Sequence, residues 1–316
     1  MKDALRVILS LTIIGATVFA LDRLCGEAMW RAFHHADDIT SPKICYVAEQ
    51  LDEDIVMMGT SRCNYHYVPS TIADSTRMSC YNAGVDASDC IYSHYTLLRL
   101  MLRHHTPKVV CLDVMAADFA TWEGYNPTET VSFFAPYAGA DEQSDSVFRL
   151  AGTLNAYRLS HLYRYNAKAA SIIFGLFAER HPQSMSGYIP ISGADEPLPK
   201  LEKYESQTQV DSTKLRYVEK FVDDCLSRGI AVVFVASPHY SIVDSTYYAP
   251  LADLARRRGI PFLNYHGSGL FTDRPEYFHD PTHLNSRGAQ RFTEIFAADL
   301  RRIVCKKSEY NESTPR

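Results

Sequence analysis

The sequence predicts an α/β fold, an open parallel sheet with helices on both faces. Three observations predict it. Short apolar runs recur along the chain, each run stops at a turn signal, and helical patterns separate them. Short apolar runs bounded by turns read as strands buried on both faces. Strands alternating with helices read as a parallel sheet.

The elements follow in order. Residues 7–21, "VILSLTIIGATVFAL", carry no charge. This run is shorter than the roughly 20 residues a spanning helix usually needs. It reads as a retained signal anchor, extended by Ala4 and Leu5 and by Leu24 and Cys25 beyond Asp22-Arg23. A cleaved signal peptide, with Val18-Phe19-Ala20 as its processing site, is the alternative. A buried helix fits less well, because no polar face balances the apolar one. Lys2 and Arg6 would hold the N-terminus in the cytoplasm and place the remaining chain outside the membrane, a periplasmic location in a bacterial cell. Residues 1–30 are therefore the anchor or signal segment, 45–305 the α/β domain and 306–316 a polar tail.

Five strands are expected, at 54–59, 78–84, 108–114, 230–238 and 260–265. Helical patterns cover 90–105, 212–229, 247–259 and 286–304, the second and third stopping at glycines. The alternation breaks at about 119–207. An insertion that long in an α/β domain is often functional, and it is expected to cap the C-terminal edge of the sheet. Its aromatic residues Trp122, Tyr125, Phe133, Phe134 and Tyr137 suit the apolar faces of sugars, or form the core of the cap.

Net charge is −5, without the basic face a nucleic-acid binder needs. The eight cysteines contain no CxxC pair and several lie in apolar runs, so neither a zinc site nor a disulfide framework is expected. No cofactor is called for. "GTSRCN" has neither the G-x-G-x-x-G fingerprint nor the P-loop lysine, which argues against a nucleotide site.

Ligands of open α/β sheets bind outside the carboxyl ends of the strands. Ser61 follows the first strand on a glycine turn. It reads as a helix cap or as a presented nucleophile. Asp280 and His283 stand three apart before the last helix, where a carboxylate can orient an imidazole as base for a serine. If that pair stood alone, capping or turn roles for Asp280 and Thr282 and a surface place for His283 would be the better account; the glycine-presented Ser61 is what weighs against it. The backbone N–H groups of Ser61 and Gly84 and the amide of Asn82 are the candidate oxyanion donors, against ordinary turn roles for Gly84 and Asn82. Arg62 is a candidate substrate contact or an ion-pair residue. His239, at the end of the fourth strand, is a second candidate contact, with no acid beside it in sequence.

Gly59-Thr60-Ser61-Arg62, Asn82-Ala83-Gly84 and Asp280-Pro281-Thr282-His283 resemble, in order and placement, the serine, glycine and Asp-x-x-His blocks of SGNH/GDSL hydrolases. The resemblance covers roughly residues 50–304 and is nearest the membrane-anchored branch, which holds proteins similar to alginate O-acetyltransferase and to the D-alanyl transfer protein of teichoic-acid synthesis. It implies a flavodoxin-like three-layer fold and a Ser61–His283–Asp280 triad. It also implies an acyl-enzyme, an acylated carbohydrate or small ester as substrate, and a membrane-bound acyl donor as partner. The chain departs from the family in two places. Thr60 replaces the aspartate of the serine block, and the third strand ends at Asp113 where the family carries an oxyanion asparagine. Loss of one such donor typically costs about 10²–10³ in rate, so a catalytically silent domain that binds or scaffolds a polysaccharide assembly is the competing expectation.

Overall fold

The computed structural model describes residues 2–38, 40–88, 90–121, 131–178, 186–194, 198–204, 209–244 and 246–312. Five parallel strands form one sheet: β1 (Ile55–Met58), β2 (Cys80–Asn82), β3 (Val109–Asp113), β5 (Ala231–Ala236) and β7 (Phe262–Asn264). Each falls within an apolar run read from the sequence. Their spatial order is β2-β1-β3-β5-β7, the flavodoxin-like order, with its switch point at β1 and β3. A separate pair, β4 (Glu202–Tyr204) and β6 (Ser241–Val243), is also parallel.

The helices, apart from the single turn Gly269–Thr272, are α1 (Lys2–His35), α2 (Ser41–Glu49), α3 (Ser61–His66), α4 (Pro69–Thr76), α5 (Ile91–Met101), α6 (Glu142–Leu150), α7 (Leu154–Leu159), α8 (Ala169–Gly175), α9 (Ser212–Leu226), α10 (Ala249–Arg258) and α11 (Ser286–Glu312). Alternate strand residues face opposite sides of the sheet, and the core divides accordingly. Val56, Met58, Val110, Leu112, Val232 and Phe234 face α2, α5, α9 and α10. Ile55, Met57, Val109, Cys111, Val233 and Val235 face α4 and α11.

Two boundaries differ from the sequence reading. Helix α1 does not end with the apolar run: Phe33 is fully buried in the core of the first face, so residues 26–35 belong to the domain. Helix α11 runs on to Glu312, where a polar tail is expected. The helical part of the 119–207 insertion packs beside the domain rather than over the strand ends. Helix α6 lies against α5, and α8 lies against α1. The stretch 186–193 does return past the strand ends: Asn82 N–H donates to Ser186 O and Ile189 N–H to Asn64 O. Phe134 and Tyr137 are buried, Tyr137 against Trp30 and Phe33 of α1, and Phe133 lies under the Lys168 ammonium. These three rings are core or covered, which removes them as a sugar platform. Trp122 and Tyr125 lie outside the described residues.

The apolar window of α1 has none of its residues buried, and the helix is long and apolar enough to cross a membrane.

Candidate active site

Strand β1 runs into Gly59, where a Cβ would lie 2.8 Å from Cys63 Cβ and 3.1 Å from the backbone oxygen of Asp113. Only glycine lets the chain turn this close to β3. Thr60 then takes the N-cap of α3, its hydroxyl accepting from Arg62 N–H at 3.3 Å. Ser61 is thus the first helical residue rather than the cap. Its N–H belongs to the first turn, where no intrahelical carbonyl accepts it.

The partner loop is closed on itself. Phe278 and Leu284 bridge antiparallel and are both fully buried, and His279 N–H donates to His283 O at 2.8 Å. Asp280 Oδ1 accepts from Thr282 N–H at 2.7 Å and His283 N–H at 2.9 Å. Its Oδ2 lies 2.8 Å from His283 Nδ1, and His283 Nε2 lies 2.8 Å from Ser61 Oγ. Burial pushes the Asp280 carboxyl up. The His283 hydrogen bond and charge and the two backbone N–H groups outweigh that and hold it at about 2. A carboxylate that stays ionised fixes Nδ1 as the protonated nitrogen and leaves Nε2 to accept the serine proton. The three residues of the expected triad meet across 222 positions of sequence.

The expected oxyanion donors fare differently. Asn82 is fully buried, and its Nδ2 donates to Cys63 O at 2.7 Å and Tyr67 O at 3.0 Å. Its Oδ1 accepts Gly84 N–H at 3.0 Å. Both donors are consumed in tying β2 to the end of α3. An oxyanion role for Asn82 and Gly84 is therefore corrected to a structural one, since the carbonyls that end α3 take the amide protons first. Gly84 is required for another reason: a Cβ there would lie 2.4 Å from Asn64 N.

Arg62 is corrected in the same way. It is buried, its Nη2 donates to Val114 O at 2.7 Å, and its Nε lies 3.8 Å from Asp113 Oδ2. Its guanidinium is directed into the core, toward Val114 and Asp113. Asp113 also accepts from Tyr67 Oη at 3.1 Å and from Ser237 N and Oγ at 3.0 Å each. Burial nevertheless raises its pKa, against the lowering effect of Arg62 and these donors. His239 is half-buried. Its Nδ1 lies 2.8 Å from Ser241 Oγ, and Tyr240 N–H donates to Pro281 O, so its strand end braces the loop that carries Asp280 and His283. Burial first, then the charges of Arg62 and His283, lower its pKa to about 4.

Four neighbours escaped the sequence reading. The ring of Tyr65 stands edge-on to His283 at 5.2 Å, and its hydroxyl donates to Asp86. His66 is fully buried behind the triad, with Nε2 accepting Leu284 N–H at 2.9 Å and Nδ1 facing Ser237 Oγ at 3.1 Å. Lys43, also buried, donates to Gly84 O at 2.8 Å, to Gly187 O at 2.6 Å and to Asn64 Oδ1. Only Tyr65 and His66 carried a signal, their place on the helix that Ser61 opens. Lys43 and Asp86 arrive from segments with no motif.

No family model and no curated protein matches the chain. Among solved structures it is similar to a "putative acylhydrolase" from Bacteroides fragilis NCTC 9343, at a TM-score of 0.40 and 12% identity, over 81% of this chain and 93% of that one. A likeness that distant carries no weight for the chemistry.

Proposed function

We propose that the chain is a serine-dependent ester hydrolase or O-acyltransferase, with Ser61 as nucleophile, His283 as base and Asp280 as the acid that orients it. One observation carries the reading: Ser61 Oγ, His283 and Asp280 are linked by two 2.8 Å contacts at the carboxyl ends of the strands. Ser61 Oγ attacks the ester carbonyl while His283 Nε2 takes its proton. The tetrahedral intermediate collapses, and the leaving alkoxide receives that proton. Water or a sugar hydroxyl then attacks the acyl-serine, giving its proton to His283. Ser61 Oγ leaves and recovers it. The Ser61 N–H, at the head of α3, is the donor available to the oxyanion from the expected set. The substrate is an acylated carbohydrate or a small ester, met outside the membrane through which α1 anchors the domain.

A second reading has its own observation. With the Asn82 amide and the Gly84 N–H engaged internally, the oxyanion loses two expected donors. That favours a silent domain that binds or scaffolds an envelope polysaccharide assembly. Labelling of the full chain in detergent with a fluorophosphonate, together with release of acetate from p-nitrophenyl acetate, separates the two. Ser61-dependent labelling and turnover support the enzyme. An inert wild type, indistinguishable from Ser61→Ala, supports the silent domain.

A further inference from the structure

The uncharged run of α1, residues 7–21, is 15 residues long. At about 1.5 Å per residue it spans about 22 Å, short of a hydrocarbon core of about 30 Å. Asp22 and Arg23 end it. Neither charge faces outward alone. Asp22 accepts from Ser160 Oγ, from His161 N–H at 2.9 Å and from Leu162 N–H at 3.3 Å. Arg23 donates to Leu159 O at 3.1 Å and lies over the ring of Phe19, 4.6 Å from its centroid. Gly26 packs directly on His161, where a Cβ would sit 2.5 Å from His161 Cβ. The turn 159–162 of the insertion therefore covers the charged step that ends the apolar run.

On either side of that step apolar surface stays open. Leu21 and Leu24 of α1 are exposed, the latter by 67%, and Leu159 beside them is exposed by 76%. Leu162 and Tyr163 are exposed as well. Hydrogen bonding lowers the cost of holding a carboxylate at membrane depth, an arginine near a span end reaches back along apolar surface, and tyrosine favours the interface.

We propose that residues 159–163 are a membrane-inserted wedge. They complete the anchor by capping Asp22, so that the apolar surface continues to Cys25, and they place Leu159, Leu162 and Tyr163 in the acyl-chain and headgroup boundary of a lipid bilayer. The occupant is lipid rather than a protein partner because this surface is continuous with the exposed apolar surface of α1. The whole anchor, Ala4 to Cys25, then spans about 33 Å by the same rise.

The test reconstitutes the full chain in phosphatidylcholine–phosphatidylglycerol vesicles whose acyl chains carry bromine near the headgroup. Emission from Leu159→Trp and Leu162→Trp is read against the wild-type background of Trp30 and Trp122. Leu270→Trp, exposed on the opposite face of the sheet, is the reference. The expected result is at least twofold quenching at positions 159 and 162 and almost none at 270. Adding Asp22→Ala to Leu159→Trp is expected to reverse much of that quenching, because it frees the turn from α1. Equal, weak quenching at 159 and 270 would overturn the proposal, as it would if a second copy or another protein covers the turn. A chain that fails to float with the vesicles overturns it too, along with the anchor. Esterase assays in detergent are independent of all three outcomes.

Discussion

Leu284 N–H donates to His66 Nε2 at 2.9 Å, so the residue after His283 is bonded to the helix that opens with Ser61. Both ends of this contact are buried. Burial, and then the charges of Arg62 and His283, depress the His66 pKa well below its ordinary value, which keeps Nε2 an acceptor. His66 thereby sets the distance between Ser61 and His283 without touching substrate. Leaving a buried N–H unpaired costs about 1–3 kcal/mol. His66→Phe is expected to lower kcat by about 10–100-fold with little change in KM, and to slow fluorophosphonate labelling in parallel. An unchanged labelling rate would show that the loop holds its place without His66.

Thr60 holds the cap of α3, which leaves Ser61 free for the nucleophile role proposed for it. Thr60→Ala removes the hydroxyl that accepts Arg62 N–H. It is expected to cost about 0.5–2 kcal/mol of stability while most activity survives. Ser61→Ala and His283→Ala are each expected to reduce turnover of p-nitrophenyl acetate by about 10³-fold or more, with the double variant little worse than either single one, as for parts of one catalytic unit. Activities that fall additively, or a Ser61→Ala variant that still turns over, would count against the triad.

The fold was legible because a strand buried on both faces has to be written as a short apolar run, and β1, β3 and β5 are. The grouping of Ser61, His283 and Asp280 was legible because each sits at a strand end or loop with a local signature. Helices α2 and α4 were not, being nine and eight residues long, too short to display a periodic face. Nor were the oxyanion donors. An asparagine beside a glycine looks the same in sequence whether its amide faces a ligand or the carbonyls of Cys63 and Tyr67. Arg62 shows the same limit, since a residue next to the nucleophile can point into the core. The choice between such orientations depends on contacts tens to hundreds of positions away.

His94 Nε2 and Asp118 Oδ1 face each other at 3.5 Å, fully buried and without a hydrogen-bond partner. Burial raises the Asp118 pKa to about 7, against the Met115 N–H that Oδ2 accepts and the charges of Arg62 and Lys214. Burial lowers that of His94 to about 3. For Asp118 the folded state holds the extra proton between its ordinary value and about 7, so stability falls as pH rises through that window. For His94 the unfolded state holds the extra proton between about 3 and its ordinary value, so stability rises with pH there. Each slope reaches about 1.4 kcal/mol per pH unit at most, and the two oppose one another from about pH 4 to 6.5. Asp118→Asn should leave a protein whose urea midpoint climbs with pH over that range. His94→Gln should leave one whose midpoint declines. Parallel profiles for wild type and both variants would sink this assignment.

Phe33 marks where α1, exposed along its apolar run, becomes packed into the domain. It is fully buried, near Trp30 and Tyr165 and 6.1 Å from the Tyr137 ring. Phe19, on the same helix, is 57% exposed. Truncating a buried phenylalanine typically costs about 3–5 kcal/mol, the lost transfer energy plus the cavity left behind. Phe33→Ala is therefore expected to destabilise the detergent-solubilised full chain by about that amount, with a lower urea midpoint and an unchanged slope. Phe19→Ala should leave the midpoint where it is. A chain cut at residue 35 should behave like Phe33→Ala or worse, because it loses the same ring. If Phe33→Ala and Phe19→Ala shift the midpoint equally little, residues 26–35 are not part of the core, and the domain begins at α2.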